Sequence, residues 1–230
     1  KNGEKLDSEV QLEIEKRLKN DYLTQNIRAT ISNCGEFVSK KELIKDYIQK
    51  LKLSVLNKNL KDISIVLDLC HGSATCCAKE IFDSLGAKTT ILHGSPNGNM
   101  INVKCGSTDI APLRKAVLEI KAEMGFAFDG DSDRMIAIDS KGRVIDGDHV
   151  LYLWGSYLLQ KNLLPGKRLV CTVMSNLGFE YAWNQKGGVM ERTPVGDKNV
   201  YAKMIETGAK LGGEQSGHIL CEEHGLYGDG

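Results

Sequence analysis

The sequence predicts an α/β fold built as two tandem α/β domains with mixed, mostly parallel sheets flanked by helices. Three observations predict it. Strand-length apolar runs alternate with helix-length segments from residue 63 to residue 139. The alternation starts again after Gly142. An apolar run reading as a buried strand also ends abruptly in the acidic stretch 129–134.

In chain order, Val10, Ile14 and Leu18 recur four apart behind Asp7 or Ser8, which predicts a helix over 7–19. Residues 20–38 carry no clear periodicity. Ser39 and Glu42 stand in capping-box spacing ahead of Leu43, Ile44, Tyr47, Ile48 and Leu51, predicting a second helix over 39–53. Ile63–Leu69 reads as a strand, 74–85 as a helix stopped by Gly86, Lys88–Leu92 as a strand and 110–123 as a helix. Gly125–Phe128 follows as a strand, with Met135–Asp139 as its hairpin arm. The second series predicts a helix over 147–161, a strand Arg168–Met174, a helix 178–186, a strand Gly188–Thr193 and a helix 198–207. It closes on Ala209–Gly213 with Gly217–Cys221 as hairpin partner. The boundary is expected near 140–146.

Thirty basic and thirty acidic residues leave no net charge, so no global field gathers nucleic acid or an anionic membrane. Any phosphate must be held by a local site. Seven cysteines form no paired framework and fit a reducing cytoplasm. No apolar run approaches the roughly 20 residues that span a bilayer. The chain opens at Lys1 rather than methionine and stops at Gly228-Asp229-Gly230, so it is expected to be a segment of a longer protein.

The chemistry concentrates at Asp129-Gly130-Asp131-Ser132-Asp133-Arg134. Three carboxylates spaced two apart repel one another unless a cation neutralises them. Hard divalent ions take oxygen ligands, and Mg²⁺ keeps a few protein carboxylates while phosphate or water completes its octahedron. An EF-hand loop is excluded, because its sixth and twelfth positions fall on Arg134 and Ser140. A solvated acidic turn is the plain alternative. Gly212-Gly213-Glu214-Gln215-Ser216-Gly217-His218 places Glu214, Ser216 and His218 at alternate positions, suited to sugar hydroxyls. It can also be read as a glycine-rich turn with an incidental histidine. A Ser-His nucleophile is not expected there, since no G-x-S-x-G elbow is present. The strand-to-helix link with Gly196, Asp197 and Lys198 suits an anion at a helix start, and equally an ordinary cap by Asp197. Ser175 and Asn176 lie in a similar turn. His71, His93, His149 and His224 lack paired metal-ligand spacing and read as structural or exposed.

Taken in order, the segments NGEKL (2–6), LGAKT, CGSTD, GFAFDGDSDR, TVMSNLGFE, RTPVGDKNV and LGGEQSGHIL resemble the α-D-phosphohexomutase superfamily, most closely its glucosamine-phosphate branch. The resemblance implies four domains, of which this chain holds the end of domain 1 (1–38), domain 2 (39–143) and domain 3 (144–230). Domains 1 and 4 would supply a phosphoserine in a TASHNP-like loop and a phosphate-binding loop, and neither motif occurs here. It implies Asp129, Asp131 and Asp133 as Mg²⁺ ligands, Arg134 as an active-site contact, and Glu214, Ser216 and His218 as sugar contacts. Gln215 is the residue that glucosamine-type members tend to carry, where glucose/mannose-type members tend to have methionine. The implied reaction interconverts glucosamine 6-phosphate and glucosamine 1-phosphate through a glucosamine 1,6-bisphosphate intermediate. Glucose and mannose phosphates are the rival substrates, and a sugar-phosphate-binding piece without activity is the rival role. Metal loop and sugar loop on separate domains also imply a cleft that closes on the substrate.

Overall fold

The computed structural model describes Leu6 and residues 8–19, 35–55, 59–225 and 227–230. Asp7 as a helix cap, most of the NGEKL segment and the connection over 20–34 lie outside the described residues. The chain divides into two compact units, Lys1–Lys41 and Glu42–Gly230. The first carries helix α1 (Ser8–Lys19), with Val10, Ile14 and Leu18 exposed along it. The second carries everything that follows.

Helix α2 (Glu42–Ser54) starts at Glu42 itself rather than just after Ser39. Strands β1 (Ser64–Asp68), β2 (Lys88–Leu92), β3 (Met124–Phe128), β4 (Met135–Asp139) and β5 (Val144–Ile145) form one sheet in the order β2-β1-β3-β4-β5. Strand β1 pairs parallel with β2 and β3, while β4 returns antiparallel to β3 and β5 antiparallel to β4. Helices α3 (Ala78–Ser84) and α4 (Ala111–Ile120) supply the crossovers. Side chains alternate across β1: Ile65 and Leu67 pack with Ala78 and Phe82, whereas Val66 packs with Leu113 and Val117. Both faces of the sheet are therefore covered, and its central strands read as continuous apolar runs.

The second sheet repeats the plan. Strands β6 (Arg168–Thr172), β7 (Val189–Thr193), β8 (Leu211–Gly213) and β9 (Ile219–Cys221) take the order β7-β6-β8-β9. Strand β6 is parallel to β7 and β8, and β9 returns antiparallel to β8. Helix α5 (Gly147–Gln160) and helix α6 (Leu177–Gln185) pack on Leu169 and Cys171, with Trp183 fully buried. Helix α7 (Asp197–Thr207) packs on Val170 and Leu220 from the other face. Strand for strand, β1-β2-β3-β4 corresponds to β6-β7-β8-β9. The acidic loop after β3 and the glycine-rich loop after β8 are thus the same β-hairpin connection in two copies.

Two expectations need correction. The helix expected over 74–85 is a 3₁₀ turn (Ser73–Cys76) followed by α3, broken at Cys77 with φ −143° and ψ −35°. The turn is held by contacts to the acidic loop described below, which outweigh helical continuity. Strand β5 was not foreseen; two residues between turn-forming glycines carry too little pattern to read.

Candidate metal and sugar-phosphate site

Strand β3 delivers Asp129 at its buried end, and the loop that follows is clamped from below. Asp68 at the end of β1 is fully buried and accepts hydrogen bonds from Cys70 N at 3.0 Å and Gly106 N at 3.1 Å, with His93 Nδ1 also at 3.0 Å. It fixes the turn that leads to Ser73. There Ser73 N donates to Gly130 O at 2.9 Å, Ser73 Oγ pairs with Ser132 Oγ at 2.8 Å, and Ala74 N donates to Ser132 Oγ at 3.1 Å. Ser73 is thereby occupied as a loop support.

Within this frame Asp129, Asp131 and Asp133 each offer a carboxylate oxygen, and the three oxygens lie within 4.8 Å of one another. Asp129 is buried, Asp133 half-buried and Asp131 exposed. Arg134 sits inside the cluster: its Nε donates to Asp129 Oδ2 at 2.7 Å and to Asp133 Oδ1 at 3.3 Å, and its Nη2 meets Asp129 Oδ2 at 2.6 Å. Partial burial alone would lower the Arg134 pKa, but Asp129 and then Asp133 outweigh it and hold the guanidinium above its ordinary value. One cation so compensates two of the three carboxylates.

The glycine-rich loop closes on this cluster. Gly217 O accepts from Met135 N at 3.2 Å, and Gly147 N donates to Gln215 O at 3.0 Å. His218, 5 % exposed, places Nδ1 3.3 Å from Asp133 Oδ2 and Nε2 3.6 Å from Asp197 Oδ2. One imidazole thus spans the acidic loop and the start of α7. Glu214 Oε1 accepts from Gly196 N at 2.9 Å, and Ser216 Oγ lies 3.4 Å from Glu214 Oε2. Gly196 rather than Asp197 precedes the helix, and Asp197 is its first residue. Two anions meet that helix start: Glu214 on Gly196 N, and Asp197, whose Oδ1 accepts from Lys198 N at 2.7 Å.

A cavity of about 720 Å³ joins these parts, lined by Asp131, Asp133 and Arg134 on one side and Gly196, Asp197, Glu214, Gln215, Ser216 and His218 on the other. Asp146, Thr172, Met174 and Val195 complete it. Asp146, Thr172, Met174 and Val195 were missed as site residues in the sequence, since residues at strand ends and helix starts carry no local mark of a cavity. Lys198, Ser175 and Asn176 are not among the lining residues. Asn176 Oδ1 instead caps α6 by accepting from Gly178 N at 2.7 Å, and its own N–H donates to Asp148 Oδ2 at 2.7 Å. Ser175 is buried, with its carbonyl accepting from Arg192 Nη1 at 3.1 Å. Asn176→Ala is therefore expected to lower stability by about 1 kcal/mol, the usual value of a helix cap, as a shift in the urea midpoint. The two loops are also bonded directly to each other within one compact unit, through Met135–Gly217 and Asp133–His218.

Comparison with known proteins agrees with this arrangement. The domain II model of the phosphoglucomutase/phosphomannomutase family matches residues 44–142, and its domain III model matches residues 146–230. The chain belongs to the phosphoglucomutase/phosphomannomutase family. This phosphohexomutase chain is 58 % identical over 228 residues to a phosphoglucosamine mutase of Prochlorococcus marinus (strain MIT 9303), covering 99 % of the chain and 49 % of that relative. It is 61 % identical over 189 residues to a phosphoglucosamine mutase of Synechococcus sp. (strain CC9311), covering 82 % of the chain and 42 % of the relative. The chain thus spans about half the length of the curated relatives it matches. Among solved structures, a phosphoglucomutase/phosphomannomutase family protein from Burkholderia thailandensis superposes with a TM-score of 0.75 at 24 % identity, covering 97 % of this chain and 47 % of that one. Aspergillus fumigatus N-acetylphosphoglucosamine mutase in complex with GlcNAc-6P and magnesium superposes with a TM-score of 0.61 at 21 % identity, over 79 % of this chain and 41 % of that one. These likenesses establish the phosphohexomutase fold. No helix among the described residues is long and apolar enough to cross a membrane.

Proposed function

We propose that this chain carries the metal and sugar loops of a cytoplasmic phosphoglucosamine mutase that interconverts glucosamine 6-phosphate and glucosamine 1-phosphate. The observation that carries the reading is the shared cavity, which sets the acidic loop of the first sheet against the Glu214–His218 loop of the second. The identities to phosphoglucosamine mutases support the amino-sugar substrate. On this reading residues 1–38 end a first domain, and 39–143 and 144–230 are the second and third. A phosphoserine from the first domain and a phosphate-binding loop from a fourth complete the site, and glucosamine 1,6-bisphosphate is the intermediate that reorients.

The acidic loop fits Mg²⁺. Its donors are all carboxylate oxygens, the set a hard dication prefers, and they converge to within 4.8 Å. Asp129, Asp131 and Asp133 would hold the ion, which would there offset charge on the phosphoryl oxygens. The protein's own residues position the sugar. Glu214 and Ser216 accept and donate to its hydroxyls, and His218 is steadied between Asp133 and Asp197. Arg134 restrains Asp129 and Asp133 so that their oxygens stay convergent. Phosphoryl transfer depends mainly on positioning and electrostatics, so such supports bear directly on rate.

The test is turnover by the full-length protein of glucosamine, glucose and mannose phosphates. Clear preference for glucosamine 6-phosphate is expected. Equal or better use of mannose 1-phosphate would move the protein to the phosphomannomutase/phosphoglucomutase activity, and no turnover of any would leave a sugar-phosphate-binding role.

A further inference from the structure

We infer that Asp146 sets the preference of the cavity for an amino sugar, acting as a positioning residue through Gln215. The inference rests on the mutase reading above and adds to it a residue outside both loops. Asp146 stands at the junction of the two sheets, one residue beyond β5 and capping α5. Its two carboxylate oxygens are divided between partners. Oδ1 accepts from His149 N at 3.2 Å and lies 2.6 Å from His149 Nδ1, whereas Oδ2 accepts from Gln215 Nε2 at 3.2 Å. The next residue, Gly147, donates its N–H to Gln215 O at 3.0 Å. Two consecutive residues thus grip Gln215 by its backbone and by its side chain.

The grip decides which way the amide faces. A carboxylate only accepts, so the end of Gln215 turned to Asp146 is its NH₂ group, and Oε1 is the end left to meet a ligand. Asp146 and Gln215 both line the cavity, beside Glu214 and Ser216. A fixed acceptor backed by a negative charge suits an ammonium substituent, which brings donors and positive charge together. A hydroxyl gains the hydrogen bond without the charge, and an N-acetyl group loses the charge and adds bulk. Without the carboxylate the amide is free to turn over and present donors, which repel an ammonium group.

The experiment measures kcat/KM of the full-length protein for glucosamine 6-phosphate and glucose 6-phosphate, in the wild type, Asp146→Asn and Gln215→Leu. Asparagine caps a helix as well as aspartate, so α5 keeps its start. The ratio of the two kcat/KM values, amino sugar over glucose, is expected to fall roughly tenfold in Asp146→Asn, chiefly through KM for the amino sugar. Gln215→Leu, which keeps bulk but removes the amide, is expected to lower the ratio similarly even if Asp146→Asn folds poorly. A purely structural role predicts that both substrates suffer by the same factor. An unchanged ratio in both variants overturns the inference. A wild type without preference for the amino sugar overturns the glucosamine assignment beneath it instead.

Discussion

Gly217→Ala is expected to cost about 3 kcal/mol, the upper part of the range for overpacking a well-filled site, and to displace the sugar loop. A Cβ at Gly217 would stand 2.1 Å from Met135 O, 2.8 Å from Met135 C and 3.0 Å from Met135 N. All three are backbone atoms of β4, paired to β3 along its length, so none can swing aside as a side-chain tip could. The residue also holds φ +94°, a region that side chains rarely adopt. The facing position is just as tight: a Cβ at Gly147 would lie 1.9 Å from Glu214 O. Glycines on both sides let the β8–β9 turn lie flat against the first sheet. Gly208 is the control. It also has positive φ, +67°, but a Cβ there meets nothing within 4 Å, so Gly208→Ala should cost only about 1 kcal/mol from backbone strain. Urea denaturation separates the two, with the Gly217→Ala midpoint falling by about 1 M. Equal losses in both variants would mean that the contact between the sheets is not tight.

How much of this was legible in the sequence follows from how local each signal is. Strand β2 falls on Lys88–Leu92 as predicted, because a short run rich in β-branched residues between Gly86 and a polar stretch leaves few alternatives. The acidic and glycine-rich loops were legible for the same reason, since each ends an apolar run abruptly. Their equivalence was not, because corresponding positions share topology and no sequence. Asn176 looked like a ligand and is a cap, since both roles use the same amide oxygen. Asp146 carried no mark in the sequence, yet it caps α5 with one oxygen and meets Gln215, far away in the chain, with the other. Long-range pairing decides both cases, and periodicity carries no information about it.

The removal of a single carboxylate from the acidic loop should separate metal affinity from stability. Asp131 is exposed, and among the described residues no hydrogen bond or ion pair of its carboxylate accompanies those of its two neighbours. Asp131→Ala therefore relieves repulsion and breaks no partnership, so the unfolding midpoint without metal should stay the same or rise slightly. Mg²⁺ affinity should fall on the order of 100-fold, at least the loss that weaker outer supports of a metal site produce. Asp129→Ala behaves differently. Asp129 is 1 % exposed and paired with Arg134, so truncation leaves the guanidinium only its longer contact to Asp133 and is expected to cost about 2 kcal/mol. The figure sits below that of a fully buried pair, because the Arg134 side chain is 38 % exposed and water takes over part of its solvation. Thermal unfolding with and without Mg²⁺ reads both effects. At a concentration 100 times its dissociation constant the ion adds about 2.7 kcal/mol to a protein that binds it only when folded. The wild type should show that gain, Asp131→Ala should lose it from an unchanged baseline, and Asp129→Ala should lose it from a lowered one. A full Mg²⁺ shift surviving in Asp131→Ala would remove that carboxylate from the ligand set and leave Asp129 and Asp133 as a structural pair around Arg134.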